Sequence, residues 1–157
     1  MNFKLSSDFL RRWSPLTWRE VEFGLQQQWL TNQTAIDLAI DRVTAADDAR
    51  DVAELASVLP HEEYKVQEIV GRLADRDSEY SADKWLFLLL AWLYEHRDEI
   101  DDPLGVVEEL YADFEYPEAI ESFVRYMPPE DPMRVGDAHL FDAWRRYIDN
   151  RRRGDQD

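Results

Sequence analysis

Ten consecutive apolar residues, Trp85 to Tyr94 (WLFLLLAWLY), constrain this chain more than any other feature. A membrane-spanning helix needs about 20 such residues and is rarely read from fewer than about 18, so the run is too short to cross a bilayer. A helix that is apolar all round must instead be enclosed by other elements. The fold therefore has to be built around this segment, and the remaining sequence has to supply amphipathic elements that cover it. Leu89, near its middle, is expected to be fully packed.

The flanking sequence supplies helices. Thr17-Trp18-Arg19-Glu20 is a capping box, in which hydroxyl and carboxylate each satisfy a backbone N–H left open by the first turn. Trp18, Val21, Leu25 and Trp29 follow at helical spacing. Thr31 caps a second helix with Ile36, Ala39, Ile40 and Val43 on one face. Asp47 or Asp48 starts a third, with Val52, Leu55, Ala56 and Leu59, and Pro60 closes it or opens the next. Val66, Ile69, Val70 and Leu73 form the stripe of a fourth. Ser81 caps the apolar helix, predicted to run to about Ile100. Asp102-Pro103 then restarts a helix, because aspartate caps and proline fits the first helical position.

Leu104, Val107, Leu110, Tyr111 and Phe114 share one face of that helix. Pro117 opens a short one with Ile120, Phe123, Val124 and Met127, and the proline-rich stretch 127–132 is a loop. Asp137 caps the last helix, with Leu140, Phe141, Trp144, Tyr147 and Ile148 inward. No segment alternates apolar and polar residues over strand length, and five glycines leave little for hairpins. The predicted class is all-α: one domain over 1–150, of about seven to eight helices packed as short antiparallel pairs around the apolar helix. Residues 151–157 are expected to form a frayed tail.

Charge narrows the function. Asp and Glu outnumber Lys and Arg by 34 to 18, a formal charge of −16. Between Glu95 and Glu121 stand eleven acids against one base, Arg97. Such a surface repels nucleic acid and anionic membrane and speeds encounter with a basic partner. The absence of cysteine excludes disulfides and thiol catalysis and is compatible with a reducing compartment. The N-terminal residues meet an acid at Asp8 and show no apolar leader, so a cytoplasmic location is expected.

No constellation announces an enzyme. His61, His96 and His139 sit in no recognisable metal-binding spacing, although His61-Glu62-Glu63 and Glu95-His96 with Asp98 and Glu99 carry ligand-type groups. Solvated helix ends account for them. Carboxylate pairs are too abundant to mark acid–base catalysis, and no nucleophile elbow or phosphate loop is present. No catalytic residue, cofactor or metal is expected. Arg145, Arg146, Arg151, Arg152 and Arg153 suit a helix C-terminus, pairing with its dipole or with the acidic face. The tryptophans read as core, Trp85, Trp92 and Trp144 above all, with Trp13 as an exposed anchor.

Two stretches carry a resemblance: 9–18 (FLRRWSPLTW), and 111–117 (YADFEYP) continuing to 123–128 (FVRYMP). Together they resemble a small bacterial family classed as a domain of unknown function, spanning nearly the whole chain. The resemblance brings no catalytic residues, and short acidic chains of this kind are similar to the immunity proteins that accompany polymorphic toxins. The leading expectation is a non-enzymatic binding domain that meets a basic partner, such as a nuclease toxin, with an acidic face. Its candidates are Asp101, Asp102, Glu108, Glu109, Asp113 and Glu115, with Tyr116 as an edge aromatic. The alternatives are a helical structural or adaptor domain whose charge serves solubility, a metal-dependent hydrolase, or a salt-adapted origin with no partner.

Overall fold

Eight α-helices carry the fold in a computed structural model that describes residues 2–43, 49–125 and 137–156. They are α1 (Ser7–Trp13), α2 (Trp18–Gln26), α3 (Asn32–Arg42), α4 (Ala49–Ala56), α5 (Tyr64–Arg76), α6 (Ala82–Glu95), α7 (Pro103–Asp113) and α8 (Ala138–Gln156). Short 3-10 segments lie at Pro60–Glu62, Arg97–Glu99 and Glu118–Phe123. The fold is all-α, with no strand among the described residues. Among them, too, no helix is long and apolar enough to cross a membrane. The chain divides into two compact units, Met1–Ser81 and Ala82–Asp157.

In the first unit, α2 packs against α5, α4 against both α3 and α5, α3 against α5, and α1 against α3. The core follows from the stripes: Trp18, Val21 and Leu25 of α2 and Val66, Ile69, Val70 and Leu73 of α5 are buried. Thr17 forms the expected capping box, its hydroxyl accepting from Glu20 N–H while Glu20 accepts from Thr17 N–H. Thr31 caps α3 by accepting from Thr34 N–H.

Five details of this unit differ from what the sequence predicts. Helix α2 stops at Gln26, because Gln28 turns left-handed at φ 63°. Trp29 is therefore off the helix, half-buried against Phe23. On α3 the buried phase is Ala35, Ile36, Leu38 and Ala39, so Ile40 turns outward at 52% exposure. Leu59 falls beyond α4 and is likewise exposed. Trp13 is half-buried on Phe9 instead of standing out as an anchor. The reading also missed α1, which Ser6 caps by accepting from Phe9 N–H. The caps expected at Asp47 or Asp48 lie outside the described residues.

A polar knot closes the first unit on itself. Glu20 is only 1% exposed, and its second oxygen accepts from the backbone N–H of Ser81 at 2.9 Å. Trp18 N–H donates to the Asp77 carboxylate, Arg19 N–H to the Asp77 carbonyl, and the Thr17 hydroxyl to the Glu79 carbonyl. The start of α2 is thus stitched to segment 77–81. Arg42 lies beside the knot over the Trp18 ring and donates to the Leu16 carbonyl; burial lowers its pKa, against the opposing pull of Asp77, Asp41 and Glu20.

In the second unit, α6 packs with α7 and α8, and α8 packs along the 118–123 segment. From Trp85 to Ala91 every α6 side chain is buried, as is Leu93, which is what a helix apolar all round requires. The helix ends at Glu95, short of the predicted Ile100, where Arg97 donates to the Tyr94 carbonyl and a 3-10 turn follows. Trp144 of α8 is fully buried and donates its indole N–H to the Leu90 carbonyl. Leu140 and Ile148 join it in the core, while Phe141, Tyr147 and Trp92 are half-buried. The backbone of α8 continues helical past Asn150, where the sequence reading ends the domain. Met127 and the 127–132 loop lie outside the described residues.

Candidate functional site

Helix α7 carries Glu108, Glu109 and Asp113, with Asp101 and Asp102 just before it and Glu115 and Tyr116 just after, and its first residues are set by its cap. Asp102 accepts from Gly105 N–H at 3.2 Å, and Pro103 occupies the first turn, where its missing N–H costs nothing. Gly105 leaves room for this cap: a Cβ at that position would meet the Asp102 carboxylate and force it to shift.

Arg125 completes the arrangement. Its two terminal nitrogens donate to the two oxygens of Asp102 at 3.0 and 3.2 Å, and its Nε donates to Glu108 Oε1 at 2.7 Å. One guanidinium thus bridges the cap of α7 and an acid two turns along it. The hydrogen bond from Arg125, and then that from Gly105, holds Asp102 below its usual carboxylate range. Arg125 is correspondingly raised, by Asp102 first and by Glu108 next. An open basin of about 730 Å³ lies over this triad, lined by Asp101, Asp102, Gly105, Glu108, Glu109 and Arg125 among others.

The candidate acids divide into two sets. Glu108 is half-buried, and it and Asp102 are neutralised from within the chain by Arg125, four positions beyond the window in which the acids crowd. Asp101, Glu109, Asp113 and Glu115 are exposed, and none has a cation within ion-pair distance among the described residues.

At its far end α7 closes on a left-handed corner. Phe114 N–H donates to the Leu110 carbonyl, Glu115 N–H to that of Ala112, and Tyr116 N–H to that of Tyr111. Glu115 and Tyr116 hold φ values of 64° and 60°, a conformation that usually falls to glycine or asparagine. Tyr116 is 64% exposed, and its ring meets Tyr111 edge-on at 5.2 Å. Tyr111 in turn bonds Glu121; desolvation and the Glu121 charge raise its phenol. The aromatic candidate is therefore exposed and oriented at once.

The other sequence candidates stay apart from this face. His96 stacks on Trp92 with centroids 4.1 Å apart and its Nδ1 meets the Trp92 carbonyl, so it finishes α6. Among the described residues no group of three His, Asp or Glu side chains converges as a metal site. The C-terminal arginines do not pair with the α7 acids: Arg145 approaches Asp149 at 3.9 Å, and Arg151 lies over the Phe87 ring.

Fold and face together define an all-α protein with a carboxylate-rich helix ending in a fixed aromatic corner. Residues 7–152 match the model of a family described as uncharacterized protein conserved in bacteria (DUF2247), and the chain belongs to that family. No curated protein and no solved structure matches it.

Proposed function

We propose that the protein is a non-enzymatic binding domain that captures a basic protein through the exposed face of α7, acting as an immunity protein that neutralises a basic toxin domain such as a nuclease. One observation carries the reading: Asp101, Glu109, Asp113 and Glu115 are exposed with no cation in ion-pair distance among the described residues, and an exposed Tyr116 is held in a left-handed corner at the far end of the helix. Unneutralised carboxylates steer a cationic partner, and an oriented tyrosine supplies contact area at low entropic cost. Strain at an exposed residue points toward use, since sparsely populated backbone conformations gather at working sites. On this reading the protein binds neither nucleic acid nor membrane.

The test begins with basic proteins encoded beside the gene, offered to the purified chain. With a bound partner in hand, the variant Asp101→Asn, Glu109→Gln, Asp113→Asn, Glu115→Gln should lower the association rate by roughly tenfold at low salt and flatten its salt dependence. Asp102 and Glu108 are left intact so that the α7 cap survives. Tyr116→Ala should act on dissociation instead. Association kinetics identical to the wild type at low ionic strength would remove this face from the interface.

A further inference from the structure

The second unit carries a basic hollow that the acidic face does not use. A trough of about 520 Å³ runs between α8 and the 118–123 segment, lined by Ala119, Ser122, Arg146, Tyr147, Asn150 and Arg151, with Ala143 beside them. Ala119 and Ala143 leave the space. Arg146 and Arg151 lie five positions apart on α8, which places them about 140° apart around the helix. Tyr147 and Asn150 fall between them, so the two guanidiniums stand at opposite rims.

Among the side chains of residues 2–43, 50–125 and 137–153, neither arginine has a carboxylate within ion-pair distance, whereas Arg11, Arg19, Arg72, Arg76 and Arg125 are all paired. Arg146 is steadied by the Asp142 carbonyl at 3.4 Å and Arg151 by the Phe87 ring at 5.8 Å. In a chain of formal charge −16, two guanidiniums that line one hollow and have no carboxylate partner among those described side chains are a local reversal of sign. The helix dipole does not cancel it, because its negative end is confined to the last turn and α8 runs on to Gln156.

We propose that this trough binds a small molecule through its phosphate group. Guanidinium forks match phosphate oxygens bidentately, and two of them, with the Ser122 hydroxyl and Asn150 amide between, offer more donors than a carboxylate can accept. The volume lies within the roughly 300–1,000 Å³ usual for small-ligand sites, larger than one phosphate needs. Tyr147, pushed up to about 12 by burial against the opposing pull of Arg151, keeps a neutral hydroxyl and adds no repulsion; Asp83 is the acid that bears on it.

Calorimetric titration of the purified full chain tests this with inorganic phosphate, a nucleoside 5′-monophosphate and the same nucleoside without phosphate. The first two should bind and the third should not. Equal affinity for phosphate and nucleotide identifies free phosphate as sufficient, and tighter nucleotide binding identifies an organic phosphate; both support the site. Arg146→Gln and Arg151→Gln should each weaken binding about tenfold or more, as expected for losing a charged hydrogen bond. Arg153→Gln, which removes the same charge outside the trough, should change it less than about twofold. Arg146 is exposed, so its variant serves even if Arg151→Gln perturbs the packing on Phe87. The proposal is overturned by absence of binding up to about 10 mM phosphate and nucleotide, by equal binding of the bare nucleoside, or by an equal loss in Arg153→Gln.

Discussion

Asp102 shows how one side chain can serve the backbone and the charge balance together. It caps α7 through Gly105 N–H and receives both terminal nitrogens of Arg125. Because its folded pKa is held below the ordinary value, its contribution is present above the unfolded carboxylate pKa of about 3.9 and is lost as pH falls through the folded value. Asp102→Asn keeps a competent cap but gives up the ion pair. Melting temperatures of the two proteins should therefore differ at neutral pH and converge in acid. A gap of constant size down to pH 2 would mean that the ion pair contributes nothing. Glu20 is the buried counterpart, with each oxygen accepting a backbone N–H, from Thr17 and from Ser81. Glu20→Gln turns one acceptor into a donor facing a donor, at a cost of about 1–3 kcal/mol read from denaturant unfolding.

Elements were legible where their signals are local. Thr17, Thr31 and Asp102-Pro103 mark helix starts because a cap acts within three residues of itself, and all three caps are present. The buried stripe of α5 follows from spacing alone. Ends carry weaker signals: Gln28 turns left-handed without the glycine that would announce it, so spacing alone places Trp29 on the α2 stripe. Arg125 escaped for a different reason, since its pairing with Asp102 spans 23 positions and depends on how the chain returns after the 118–123 segment. The acidic face was visible in composition; which of its acids are already neutralised was not. For α6 the expectation is quantitative. Leu89 is fully buried, and Leu89→Ala should destabilise by about 2–5 kcal/mol in equilibrium unfolding, with a cavity left behind. A variant as stable as the wild type would contradict the enclosure of this helix.

At the scale of the whole chain, a formal charge of −16 works against compactness, since the acids left unpaired repel one another. Exposed ion pairs such as Arg11–Asp41 offset little of this, typically less than about 1 kcal/mol each. Raising salt to about 0.5 M, where the Debye length is only a few ångströms, should therefore increase the melting temperature. A melting temperature that falls with salt would show that the pairs outweigh the repulsion. The stitching of α2 to segment 77–81 has a temporal consequence as well. The amides of Thr17 and Ser81, 64 positions apart, are held by opposite oxygens of one carboxylate. A movement of that carboxylate frees both at once, so their deuterium uptake should proceed in step, two distant points of the chain keeping a common clock.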